Sequence, residues 1–316
     1  MMATASAKPE AGFSFVSGVV GIGFSLPDAS VNSGHSGYTA ADAGRDSLVQ
    51  GLNLLAGIFC GLLGLVFGSF LNVCIARLPR HESVVTPRSS CPDCGAPIGA
   101  MDNVPLLSFL VLRGRCRDCG AQISWRYPAI EVATAALWVL CWLEFGLSVE
   151  AAGMAVLCFL LLGLAAMDAE TLLLPNTFTL PGILLGVIYS GAMCPGRWLG
   201  RLRCAGVSLG WAVCATALIL AIRWLYWLVR QREGMGMGDA KLLAMIAAWA
   251  GPANALLVFF LAVVGAAIYG VFWMAMNKGE GRAQARMPLG SFLCAAAIYA
   301  VFEGQATVDW YLGLFR

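Results

Sequence analysis

The sequence predicts an all-α, polytopic membrane protein with about eight transmembrane helices. Two observations carry this fold class. Of the 316 residues, 59% are hydrophobic and only 12% are charged, against roughly 25% charged in an ordinary soluble domain. Apolar runs near 20 residues long recur from Leu52 to the C-terminus. Each is long enough to cross a hydrocarbon core of roughly 30 Å as a helix. Backbone groups in lipid need partners within their own segment, so the spans must be helical. The net charge of +2 offers no basic patch for nucleic acid; the surroundings implied are membrane lipid.

Taken in order, residues 1–47 are rich in Gly, Ala and Ser and read as a disordered N-terminal tail. Residues 48–316 form the membrane domain. Its apolar segments fall at about 52–75, 128–146, 150–167, 177–194, 204–229, 238–250, 254–276 and 287–303. The sixth is short and abuts Gly251-Pro252. Most of the twelve cysteines lie singly inside these runs, as Cys60, Cys158 and Cys214 do, and read as small apolar side chains.

Lys and Arg in short loops set orientation. The long connection, 76–127, carries Arg77, Arg80, Arg88, Arg113, Arg115, Arg117 and Arg126, and is read as cytoplasmic. Alternation then places 168–176, 230–237 and 277–286 inside as well. One loop dissents: Arg197, Arg201 and Arg203 would lie outside.

Two constellations suggest chemistry. Cys91-Pro92-Asp93-Cys94 is followed, 21 residues on, by Cys116-Arg117-Asp118-Cys119. Each CxxC precedes a glycine, and four thiolates suit one tetrahedral Zn²⁺. The competing reading, two disulfides, fits a reducing compartment poorly. With four protein ligands the zinc would be structural and would organise a loop that has little core of its own.

The second constellation is Asp168, ending the third apolar segment, and Asp239, opening the sixth in Gly236-Met237-Gly238-Asp239-Ala240-Lys241. The orientation rests on Lys and Arg alone, yet it puts both acids on one side. Two carboxylates in contact cannot both ionise easily and share a proton. One can then take a proton from water while the other polarises a peptide carbonyl, which is aspartic protease chemistry. Solvation at the interface for Asp168 and helix capping for Asp239 remain the bland alternatives. A proton- or cation-coupled transporter using the two aspartates is the competing function. It would favour acids near mid-span and internal repeats, and neither is seen. The two histidines, His35 and His81, are not placed for a triad.

Across roughly 52–303 the chain resembles the type IV prepilin peptidases, the GxGD-type aspartic prepilin leader peptidases. Gly68-Ser69-Phe70-Leu71-Asn72-Val73-Cys74-Ile75-Ala76-Arg77-Leu78-Pro79 is similar to the family's first-helix signature. The CxxC pairs are similar to its cytoplasmic zinc loop, with Asn103–Ser108, Arg113–Cys116, Ile123–Pro128 and Glu131. Asp168 with Leu174-Pro175-Asn176 resembles the first catalytic region, and Gly236–Leu242 the second. Asn176 departs from the family's usual Asp, and Met287–Phe292 is a loose version of a late Pro-Phe-Gly-Pro stretch.

The resemblance implies a bacterial inner-membrane enzyme with its active site facing the cytoplasm. It implies cleavage of a short basic leader from prepilins or pseudopilins, just after Gly. It also implies, in many members, N-methylation of the new N-terminus with S-adenosylmethionine. The implied catalytic pair is Asp168 and Asp239, supported by Gly236, Gly238 and Lys241. The loop itself is net basic, so the individual acids Glu131 and Glu170 are expected to read the leader's positive charge.

Overall fold

The computed structural model describes residues 40–231, 236–276 and 288–315. The chain divides into two units, Met1–Leu48 and Val49–Arg316. The first is described only over 40–48, the opening turns of α1. The expected tail, 1–47, otherwise lies outside the described residues, as do Arg232, the basic stretch 277–286, and Met287.

Among the described residues, eight α-helices follow in order: α1 Ala40–Arg77, α2 Leu107–Val111, α3 Arg126–Phe145, α4 Val149–Thr171, α5 Asn176–Met193, α6 Trp198–Arg230, α7 Met237–Met276 and α8 Leu289–Gly313. Among the described residues, six are long and apolar enough to cross a membrane: all but α2 and α5. α7 is not one straight rod. Gly251 has φ 75° and ψ 179° inside it, directly before Pro252. Contacts fix what that break does. A Cβ on Gly238, at the start of α7, would meet Leu174. Past the break, Asn254 lies against Gly304, while Phe292 packs on Gly265 and Tyr269. The chain therefore reverses at Gly251, where the sequence places the boundary between the sixth and seventh segments. Counting α5 and the two arms of α7 separately gives the expected eight membrane segments.

The first arm, 237–250, rises only about 20 Å at 1.5 Å per residue. It forms the centre of the bundle, with Leu242, Leu243, Met245 and Ile246 at most 2% exposed. Lipid supplies little drive for helices to associate, so close approach through small residues matters. On α5, Gly182 and Gly186 seat Met245 and Trp249, and Trp249 Nε1 donates to the Gly182 carbonyl at 2.8 Å. On α1, Gly57, Gly64 and Gly68 face α3: a Cβ on Gly64 would stand 2.5 Å from Ala135 Cα, and one on Gly68 2.7 Å from Glu131 Cα. The first-helix signature thus serves packing. Its buried Asn72 adds an Nδ2 hydrogen bond to the Tyr127 carbonyl at 3.0 Å.

Two features were not foreseen. α5 and α6 are joined by a disulfide, Cys194–Cys204. Cys158 is not solitary: its sulfur lies 4.0 Å from that of Cys141, both fully buried.

Candidate active site and metal centre

Asp168 sits in the last turn of α4, at the segment end expected from hydropathy, and the helix runs three residues further, to Thr171. The helix closes at Leu172, whose left-handed conformation (φ 57°) lets its amide return to the Asp168 carbonyl at 2.9 Å. The side chain is only 5% exposed. It is not a solvated interfacial acid, and it faces α8. The Ser291 amide donates to Asp168 Oδ2 at 2.6 Å and the Ser291 hydroxyl lies 3.0 Å from the same oxygen. Gly290 allows this approach, because a Cβ there would stand 2.9 Å from Asp168 Cγ.

Asp239 opens the central arm of α7. A Cβ on Gly236 would come to 3.5 Å from its Oδ2, and one on Gly238 to 3.1 Å from Leu174. Leu174 also lies beside Gly290. One leucine therefore touches both the glycine next to Asp239 and the glycine against Asp168. The two carboxylates are close enough for their charges to act on each other, and Cys294, one turn along α8 from Ser291, feels both. Lys241 reaches back to α5, its Nζ donating to Asn176 Oδ1 at 2.7 Å. The residue at the family's usual Asp position is thus the acceptor for this lysine. Gly234 and Met235 lie outside the described residues.

The two acids expected to read leader charge both have partners. Glu131, 8% exposed, accepts the Leu106 amide at 2.7 Å and so ties α3 to the start of α2. Glu170 is gripped by Arg126, with Nη1 2.6 Å and 2.5 Å from its two oxygens. Sequence reasoning missed Ser291 and Gly290 as neighbours of Asp168. The only available signal was the late stretch 287–292.

The four loop cysteines converge. The sulfurs of Cys91, Cys94, Cys116 and Cys119 all lie within 4.8 Å of one another, with Cys91 and Cys119 at 3.8 Å. Tetrahedral thiolates about 2.3 Å from one ion stand roughly 3.8 Å apart. The spacing fits a metal ion. Each half is the same turn: Cys91 N–H donates to the Ala96 carbonyl and Cys116 N–H to that of Ala121, with Gly95 and Gly120 at φ 72° and 74°. Only glycine adopts that conformation freely. Backbone amides, first that of Cys94 and then that of Asp93, bring the Cys91 thiol down to about 7. Despite the Ala121 amide, which favours its thiolate, Cys119 is pushed up to about 12 by local desolvation and by the neighbouring sulfurs. A divalent cation among four crowded sulfurs would relieve that opposition. Asp102 and Arg117 brace the loop with a paired contact of 2.5–3.1 Å that holds the Asp102 carboxyl below its ordinary range.

The larger open groove, about 720 Å³, is lined by Phe109, Leu110, Arg113, Arg115 and Trp125 among others. Its charged lining is Arg113 and Arg115. No methyl-donor site is assigned among the described residues.

Residues 62–145 match the family described as Bacterial Peptidase A24 N-terminal domain, and residues 155–271 match the Type IV leader peptidase family. The prepilin leader peptidase/N-methyltransferase of Burkholderia pseudomallei (strain 1026b) is 35% identical over 274 residues, covering 78% of this chain and 85% of its own. That of Pseudomonas putida is 37% identical over 77% of this chain and 89% of its own. That of Pseudomonas aeruginosa PAO1 is 34% identical over 82% and 94%. No solved structure gives a significant match.

Proposed function

This chain belongs to the type IV leader peptidase family, and from that premise we propose that it is a membrane aspartic endopeptidase with Asp168 and Asp239 as its catalytic pair. It cuts the basic leader from prepilins or pseudopilins after a glycine, at the cytoplasmic face of a bacterial inner membrane. One observation carries the reading of the pair: Leu174 packs at once on the glycine beside Asp239 and on the glycine that admits Asp168.

The chemistry needs nothing beyond the two carboxylates and water. One carboxylate takes a proton from water as its oxygen bonds to the scissile carbonyl carbon. The other gives a proton to the carbonyl oxygen. The tetrahedral adduct then collapses, the C–N bond breaks, and the freed amine leaves with a proton. The four thiolates of Cys91, Cys94, Cys116 and Cys119 would hold one Zn²⁺ as a structural ion, since four protein ligands leave it no open position. The second activity in the relatives' names, N-methyltransferase, is expected of this chain as a family member. No methyl-transfer step is assigned to its residues.

The experiment is cleavage of a prepilin with a Gly-Phe junction in membranes. Asp168→Asn and Asp239→Asn should each lower turnover at least roughly 100-fold, the scale of a lost acid or base, while inserted protein stays at the normal level. Near-normal turnover in either well-expressed variant would remove the dyad from consideration.

A further inference from the structure

Asp168 is met at one oxygen by two groups of a single residue. Ser291 is the third residue of α8, and first-turn amides have no partner within their own helix. Its amide points outward to Asp168 Oδ2 at 2.6 Å while also lying 3.1 Å from the Pro288 carbonyl. The hydroxyl oxygen stands 3.0 Å from the same Oδ2 and 3.0 Å from the Ala165 carbonyl.

A hydroxyl carries one proton and can accept as well as donate. It can give that proton to an ionised Asp168. Alternatively it gives the proton to the Ala165 carbonyl and accepts one from a protonated Oδ2. Both arrangements use the same heavy-atom positions. Such a neighbour suits a carboxyl group that gains and loses a proton in each cycle, because only the hydroxyl proton turns and no heavy atom moves. Among the described residues, the other titratable groups close enough to couple with the charge of Asp168 are Asp239 on α7 and Cys294 on α8.

We propose that Ser291 is the positioning residue of Asp168: its amide and hydroxyl fix Oδ2, so that Oδ1 is the oxygen presented to the reacting water. The hydroxyl turns between Asp168 and Ala165 as the carboxyl changes protonation state. This rests on the reading of Asp168 as half of the catalytic pair.

The test is steady-state cleavage of the Gly-Phe prepilin in membranes, with inserted enzyme quantified, for wild type and for Ser291→Ala, Ser291→Thr and Ser291→Pro. Losing one hydrogen bond to a charged group corresponds to roughly a 10–100-fold change in rate. Ser291→Ala should lower kcat on that scale with KM within about twofold. Ser291→Thr keeps the hydroxyl and should recover most of kcat. Ser291→Pro removes both donors, and its ring also crowds Asp168 Oδ2, 2.6 Å from this nitrogen, so it should fall below the alanine variant. If Ser291→Ala does not insert, Ser291→Cys, similar in size but a weaker donor, is read in its place.

An alanine variant with unchanged kcat overturns the proposal. So does a loss confined to KM, which would put Ser291 on the substrate, or a threonine variant no better than alanine. Failure of the underlying reading looks different: wild type does not cleave, or Asp168→Asn cleaves as well as wild type.

Discussion

At the scale of single residues, Glu131 separates two roles by experiment. Its carboxylate accepts the amide of Leu106, a non-glycine residue at φ 57° and ψ −44° that caps α2. Stranding a buried donor costs about 1–3 kcal/mol. Glu131→Ala should therefore loosen α2 and lower the thermal stability of the purified protein. Glu131→Gln keeps an acceptor and should lose little. If Glu131 instead reads the leader's charge, the glutamine variant will discriminate less between basic and acidic leaders, which a competition assay measures directly. Asp168 and Asp239 were legible as acids at the ends of apolar runs, because charge in such runs is rare and conspicuous. Ser291 was not. Its hydrogen bond to Asp168 joins residues 123 apart in sequence, and a serine in a membrane helix has many bland uses. Glu170 was legible as an acid near Asp168, but its pairing with Arg126 spans 44 residues and depends on how α3 and α4 are packed.

At the scale of elements, the loop between α1 and α3 is the part that depends on chemistry more than on packing. It has one short α-helix, α2, two 3₁₀ turns, Leu78–Arg80 and Ala100–Asn103, and two isolated bridges, Ser90 with Pro97 and Arg115 with Gln122. On the proposed zinc assignment, metal binding would supply much of its folding energy. Purified protein should contain one zinc per chain by elemental analysis. Replacing any one of Cys91, Cys94, Cys116 or Cys119 by Ser should abolish stoichiometric zinc and make 88–122 sensitive to protease, with an indirect loss of cleavage. Zinc-free protein with four free thiols and full activity would refute the assignment. The loop was readable in advance because each CxxC is a local turn with its glycine in place. Most helix ends were readable too, since apolar runs end where charge begins. The Gly251 reversal followed from Gly-Pro chemistry. The disulfide did not, because Cys194 and Cys204 end and begin apolar segments and look like ordinary small residues there. Of the α1 glycines only Gly68 was quoted in a signature; Gly57 and Gly64 were not singled out, and the partners of all three on α3 depend on packing that periodicity does not specify.

For the whole molecule, the question is which end faces which compartment. α4 ends near Asp168, and α5 carries the chain back to Met193. The Cys194–Cys204 disulfide therefore closes the end of the bundle opposite the paired aspartates. Four free thiols gathered for a metal suit a reducing compartment, whereas a disulfide persists in an oxidising one. The two cysteine groups thus argue for the orientation that Arg and Lys in the long loop suggest. They also answer the dissenting loop, since Arg197, Arg201 and Arg203 lie between or beside the two bridged cysteines. Positive-inside is a statistical bias, whereas the redox state of each cysteine group can be measured on each side of the membrane. In sealed spheroplasts, an impermeant maleimide should label Cys194 and Cys204 only after an impermeant reductant is added. The exposed thiols Cys94 and Cys119 should become reactive only after permeabilisation and chelation. Peptide mapping by mass spectrometry reads each site separately. Labelling of Cys94 in sealed spheroplasts would invert the orientation and, with it, the side of the membrane on which Asp168 and Asp239 meet the leader.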